Sequence, residues 1–585
     1  MRTKQGAIAI ALGAVVSLAL AACSGGGGST AASASGSSGG GSSAATGAKG
    51  GTLTWLTTGP QEHWDPQRTY VGVDIEFAGR AFYRSLTAYT AGKDPKVVPD
   101  LATDMGTVSD GGKTWKFTVK DGIKWQDGQP VKCEDVKYGI SRTFAQDVIT
   151  GGPNYIITFL DIPTVKDAKG NPGPAYAGPY TKKGQDLYEK AVSCTGNTIT
   201  LHFKTPWSDF NIATAGLPAY SPFRQDKDLG DKSDYAVFSN GPYMLQGTFD
   251  KDKGGTFVRN PNWDPATDTI RKAYPDQINY VVGLENNVIF QRLIADGAAD
   301  KAAVSGVQAP AAILPQIAAN PGAVSRALTG PAPYVDYIQP NVRSKVFSNE
   351  KARQAFAMAT NRDAYVTAYG GKQAAIPSYA MCNQATPCYK DFNPFGVPTA
   401  GDAAAAKKVL QESGLTLPVP ITVVFRNRPP NDKALPALKQ TWDAAGFSVT
   451  LEPLTTKYYA TIQTPAYANR DAFWAGWGAD WPGGSTVLPP LFDDRPNISA
   501  GGSGQDYGYF KDDSVDKAID AAYAVSDPAA REKAWADIDE AISKKVGVIP
   551  LDNQKFTFLA GSSVKGLETN ALIGGYVDIA NIAVQ

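Results

Sequence analysis

The chain is predicted to be an α/β protein of more than one domain, and three observations carry that expectation. Its 585 residues exceed what a single hydrophobic core usually serves. Residues 421–425 form a β-branched apolar run, 431–445 a helical stretch with Pro436 early in it, and Phe447, Val449 and Leu451 resume as a strand after Gly446. Such a βαβ unit implies a parallel sheet. The stretch 97–234 instead shows period-two alternation: Trp115, Phe117 and Val119 against Lys116, Thr118 and Lys120, and later Ile199, Leu201 and Phe203.

The N-terminal elements decide the compartment. Arg2 and Lys4 precede an apolar or small-residue stretch over 6–20, too short and too soon ended for a membrane span, which reads as a secretory signal. Leu20-Ala21-Ala22-Cys23 closes it and resembles the bacterial lipobox, in which cleavage precedes the Cys and the thiol is acylated. Residues 1–22 are therefore expected to be a signal peptide and Cys23 a lipidation site that anchors the protein to the cell membrane from outside. Residues 23–50 follow as a Gly/Ser/Ala-rich tether, which lacks the apolar surface needed to fold and reaches roughly 30 Å as a flexible coil.

The body begins near residue 51 with a strand over 53–58. Asp121-Gly122 and Asp127-Gly128 punctuate the strand-rich region, and 166–180, heavy in Gly and Pro, reads as a loop. Three helices carry apolar stripes: 352, 355, 356 and 359; a helix capped by Asp402 with Ala403, Ala406, Val409 and Leu410 on one face; and a helix opened by Asp527-Pro528 with Ala530, Ala534, Trp535, Ile538 and Ile542. All three stripes are expected to face the core.

Composition excludes several classes of function. Loss of Arg2 and Lys4 leaves the basic residues, 56 in the whole chain, two short of the 56 acidic ones, and no basic run or stripe suggests nucleic acid. Only two histidines occur, His63 and His202, so no hydrolytic triad or histidine-bearing metal set forms; no cofactor, no metal and no enzyme activity are expected. Gly112-Lys113-Thr114 is not a phosphate loop, because Thr107 stands where the first Gly belongs and a strand follows. With Cys23 assigned to lipid, four cysteines remain in an exported chain. They allow three pairings, of which Cys133–Cys194 and Cys382–Cys388 keep each bond within one subregion.

An ordered set of motifs then resembles the family 5 extracellular solute-binding proteins, the peptide- and nickel-type receptors of ABC importers. Residues 109–142 (SDGGKTWKFTVKDGIKWQDGQPVKCEDVKYGISR) are similar to the family signature. Asn240-Gly241-Pro242-Tyr243, Asn260-Pro261-Asn262-Trp263, Arg353-Gln354-Ala355, Trp477 to Trp481 and Ile549-Pro550-Leu551 follow in family order. The resemblance covers almost the whole chain from residue 51. It implies a two-lobed periplasmic-binding-protein-like fold with two crossing hinge segments and an extra domain inserted in lobe I. Transferred here, lobe I is expected over 51–92, 235–330 and 553–585, the inserted domain over 93–234 and lobe II over 331–552. The implied role is capture of a di- or oligopeptide, by a monomer, for an ABC permease in the membrane. An oligosaccharide or another small solute on the same fold, or an extracytoplasmic hydrolase, are the alternatives.

Candidate ligand-binding residues centre on Asp480. In Trp474-Ala475-Gly476-Trp477-Gly478-Ala479-Asp480-Trp481 a carboxylate sits among aromatic and small residues, so that aromatic walls bury ligand, glycines expose backbone and one charge orients the ligand. The resemblance implies that Asp480 pairs with a peptide α-amino group. Trp474, Trp477 and Trp481 cannot all face one cleft, because strand side chains alternate; one or two of them, with Gly478, are expected to line it. His63 and Trp64 occupy a loop that faces the cleft in the family, and Arg426 with Arg428 ends a strand where a ligand carboxylate can be met. Gly483 and Gly484 stand where the family often has Asp-Pro.

Overall fold

A computed structural model describes residues 49–585, apart from 93, 167–171, 500 and 573. The signal segment, Cys23 and the tether up to residue 48 lie outside the described residues. No helix among the described residues is long and apolar enough to cross a membrane.

Two five-stranded sheets form the two lobes. The first runs Tyr243–Asp250, Gly254–Arg259, Gln277–Val281, Thr52–Leu56, Ala303–Ser305 in spatial order. Thr52–Leu56 is parallel to both its neighbours, as buried central strands with helical crossovers tend to be. An aromatic core fills its face, with Trp55, Trp64, Phe77, Phe82, Phe257 and Tyr280 all essentially buried.

The second sheet runs Phe447–Leu454, Val419–Arg426, Ala472–Gly478, Tyr334–Pro340, Ile549–Pro550. The expected βαβ unit is present: Val419–Arg426 pairs in parallel with Phe447–Leu454 across the helix Pro429–Ala444. That helix starts two residues earlier than the sequence suggests, because Pro429 and Pro430 occupy its first turn, where a missing N–H costs nothing. The capped helices follow the side-chain chemistry. Asp402 accepts from the Ala405 N–H and Asp527 from the Ala530 N–H. The last helix, Pro528–Lys544, buries Trp535, Ile538 and Ile542 as expected but leaves Ala530 exposed in its first turn, and it also buries Arg531, Glu532 and Asp539. Asp539 takes the N–H groups of Met381 and Cys382.

A four-stranded antiparallel sheet, Thr107–Ser109, Thr114–Thr118, Thr198–His202, Val192–Thr195, forms the inserted body. Trp115 and Phe117 point into its core and Lys116 to solvent, as the alternation requires. Cys133 and Cys194 are bonded here, and Cys382 and Cys388 in the second lobe. One expectation is corrected: 166–180 is not loop throughout, since Thr164–Lys166 and Pro172–Pro174 pair as a short antiparallel ladder.

The chain crosses between the lobes twice. Ala327–Pro331 pairs antiparallel with Asp552–Leu559, so the outgoing and returning segments lie side by side. At this crossing the Asp336 N–H donates to the Asp552 carboxylate and the Leu551 N–H to the Asp336 carbonyl. Arg428 meets the Asp336 carboxylate at 3.1 Å, and burial raises both the Asp336 and Asp552 carboxyls above their usual range.

A cavity between the lobes and the carboxylate that lines it

A cavity of about 260 Å³ lies where three parts of the chain meet. Tyr70, Gly72 and Ile75 come from the segment after the first strand and the helix Gly72–Ala81. Gly216 comes from the inserted body, and 476–480 from the end of the strand Ala472–Gly478 and the turn after it; Tyr334, Gln505 and Gly574 complete the wall.

Asp480 is its only carboxylate among the described residues. Its Oδ2 accepts hydrogen bonds from the hydroxyls of Tyr70 at 2.7 Å and Tyr155 at 2.5 Å, and its own N–H donates to Thr486 Oγ1 at 3.3 Å. Among the described residues no Lys, Arg or His pairs with it. Burial pushes the carboxyl above its usual range, against the hydrogen bonds from Tyr155, Tyr70 and Thr486 that favour the ionised form. A partly desolvated carboxylate held only by neutral donors is suited to a cation.

Two glycines are required by close approach. A Cβ at Gly478 would lie 2.2 Å from the Tyr334 ring, and one at Gly216 would lie 2.4 Å from the Asp480 carbonyl oxygen. The second contact joins the inserted body to the second lobe.

The structure separates the sequence candidates. Asp480, Trp477 and Gly478 line the cavity, and the Trp477 indole is fixed by donating to the Thr486 carbonyl at 2.9 Å. Trp474 lies three residues before Trp477, so the alternation turns it to the opposite face; there it is buried, donates to Tyr365 and stacks under the Arg428 guanidinium at 4.6 Å. Trp481 lies beyond the strand and is buried in the aromatic core of the inserted body, 4.8 Å from the Tyr155 ring. Trp64 sits wholly inside the first lobe's aromatic cluster, so its place is the core and not the cleft. His63 is half-buried against Asp234, with Nδ1 at 2.8 Å from Oδ2, away from the cavity. Arg426 is exposed at the strand end, whereas Arg428 is held by Asp336. Tyr70, Tyr155, Gly216, Tyr334 and Gln505 carry no sequence signal that sets them apart, since each reaches the site through tertiary contact alone.

Comparison with known proteins agrees with this architecture. Residues 96–499 match the profile of the bacterial extracellular solute-binding proteins, family 5. The dipeptide-binding protein DppE of Bacillus subtilis (strain 168) is 24% identical, over 83% of this chain and 84% of its own. The periplasmic oligopeptide-binding protein OppA of Salmonella typhimurium (strain LT2) is 23% identical over 75% and 76%. The solved structure of clavulanic acid biosynthesis oligopeptide binding protein 2 superposes with a TM-score of 0.81 at 28% identity, over 92% of this chain and 96% of that one. Family members of this kind are binding proteins rather than enzymes. With more than half its length inside the family profile, and the same two-lobed fold, the chain belongs to the bacterial extracellular solute-binding proteins of family 5.

Proposed function

We propose that this protein captures a short peptide outside the cell, encloses it between its lobes with the α-amino group on Asp480, and delivers it unchanged to an ABC permease. Acylated Cys23 tethers it to the membrane in this reading. The observation that carries the reading is Asp480: a carboxylate with no cationic partner among the described residues, facing an interlobe cavity. An α-ammonium supplies that missing cation, and a hydrogen bond to a charged group contributes about 1.5–3 kcal/mol. The Trp477 indole and the glycine backbone at 476 and 478 enclose a peptide without selecting its side chains. A cavity of about 260 Å³ lies just below the usual span of ligand sites, about 300–1,000 Å³, and this favours a di- or tripeptide over a long chain. The dipeptide- and oligopeptide-binding names of its relatives point the same way.

The test is native mass spectrometry of the purified protein against two mixtures of di- and tripeptides, one with free amines and one N-acetylated. Retention of free-amine peptides with little from the acetylated mixture is expected. Equal retention from both, or none from either while a sugar is retained, overturns the proposal.

A further inference from the structure

A second carboxylate cluster joins the lobes outside the cavity. Asp209, just before the helix Phe210–Gly216 of the inserted body, is 1% exposed. Its Oδ2 accepts from the Trp481 indole at 3.1 Å and from the Ser485 hydroxyl, both on the second lobe. The neighbouring Ser208 adds two more cross-lobe bonds, donating to the Tyr523 carbonyl at 2.9 Å and accepting from Arg531 at 3.4 Å. Trp481 and Ser485 lie within the turn that runs from Asp480, which faces the cavity, to Thr486, whose hydroxyl accepts from the Asp480 N–H.

Glu532 stands across from Asp209. Its Oε2 accepts from the Gly484 N–H at 3.1 Å, and Arg531 Nε lies 3.7 Å from its Oε1. A Cβ at Gly483 would be 3.3 Å from Asp209 Oδ2 and 3.5 Å from Glu532 Oε1, so the two acids converge on the space this glycine leaves open. Asp209 Oδ1 and Glu532 Oε1 are both buried without a hydrogen-bond partner. Two such carboxylates, both ionised, repel in a medium that screens poorly.

We propose that Asp209 is a positioning residue that clasps the inserted body to the second lobe and holds the Asp480 turn in place, and that one proton on Glu532, across from it, sets how firmly the clasp holds. It requires no particular solute. Burial first, and the Asp209 charge second, push the Glu532 carboxyl up to about 7, while the Gly484 N–H and Arg531 act against this. Opening withdraws Asp209 and returns Glu532 toward its ordinary value near 4.5. Closure therefore takes up a proton: the clasp is at full strength below the ordinary value and weakens as pH rises through about 7. Arg531 from its own helix and Asp209 from the inserted body are the charged groups facing Glu532 among the described residues, and Tyr523, Ser485 and Trp535 beside them stay neutral.

The clasp is tested on ligand-free protein by single-molecule energy transfer between dyes on Lys190→Cys, exposed on the inserted body, and Lys433→Cys, exposed on the second lobe. All variants carry Asp480→Asn, so that the cavity carboxyl does not titrate. With the full shift from near 4.5 to about 7, the closed-to-open ratio in this background is expected to fall by up to roughly seventyfold between about pH 5 and about pH 8. Asp209→Asn keeps an acceptor for Trp481 and Ser485 but removes the charge, so it should stay closed with a shallower profile, the burial of Glu532 remaining; Glu532→Gln should be flat. Asp209→Ala should open at every pH, and Ser485→Ala, which leaves the acid in place, should shift part of the way should Asp209→Ala fail to fold. A pH dependence that survives in Glu532→Gln, one that is undiminished in Asp209→Asn, or closure of Ser485→Ala equal to that of the background, overturns the proposal.

Discussion

Replacing Gly216 with alanine isolates the contact on which closure depends. The new Cβ would lie 2.4 Å from the Asp480 carbonyl oxygen, 3.1 Å from the Tyr89 hydroxyl and 3.2 Å from Trp481 Cβ. Backbone on one side and a buried aromatic on the other leave nothing flexible to yield. Overpacking of this kind costs about 1–3 kcal/mol. The clash with Asp480 and Trp481 exists only while the inserted body and the second lobe are in contact, so its cost falls on the ligand-holding form and corresponds to a roughly 5- to 150-fold loss of affinity. Alanine at the end of the helix Phe210–Gly216 is otherwise favoured over glycine, by up to about 1 kcal/mol. Calorimetry with trialanine measures the affinity, and the unfolding midpoint of the ligand-free protein is the control. A large affinity loss with an unchanged midpoint is expected. Unchanged affinity refutes the claim that ligand capture brings Gly216 onto the Asp480 turn.

Further predictions separate core from cavity and one tether from another. Trp64→Ala should destabilise the fold by about 3–5 kcal/mol in chemical unfolding, whereas Trp477→Ala should leave stability nearly intact and weaken peptide binding in calorimetry. Removing Cys133–Cys194, which spans 61 residues, should cost about 4 kcal/mol in the chain-entropy description, and removing Cys382–Cys388, which spans 6, about 2 kcal/mol; denaturant unfolding of the paired Cys→Ser variants gives both values. Cys23→Ala should move the protein from the membrane fraction to the medium on immunoblotting, and equal membrane retention of the two forms would contradict the lipid anchor.

What the sequence made legible was local. Caps at Asp402 and Asp527, the βαβ unit around Val423 and Val449, and the alternation through Trp115 and Phe117 all depend on neighbours within a few residues, and each emerged as read. Alternation also separated Trp474 from Trp477, but which face meets the cavity depends on how the sheet sits against the inserted body. Trp64 lay in an apparent loop and proved to be core, since aromatic rings from four distant segments surround it. The tyrosines on Asp480 come from 410 and 325 residues away, and no spacing announces them. Arg531, Glu532 and Asp539 lie on a helix face that reads as an apolar stripe; their burial is intelligible only from partners on other segments, such as Ser208, Gly484 and Met381.

Capture of a peptide amine by Asp480 is measured most directly by a calorimetric cycle. Wild type and Asp480→Asn are each titrated with trialanine and with its N-acetylated form. Loss of a charge-assisted hydrogen bond, about 1.5–3 kcal/mol, should weaken free trialanine about ten- to a hundredfold in the variant. The acetylated peptide should bind wild type weakly and change little on substitution. Wild-type protein that binds both peptides equally, or an Asp480→Asn variant that loses no affinity for the free amine, would contradict the account.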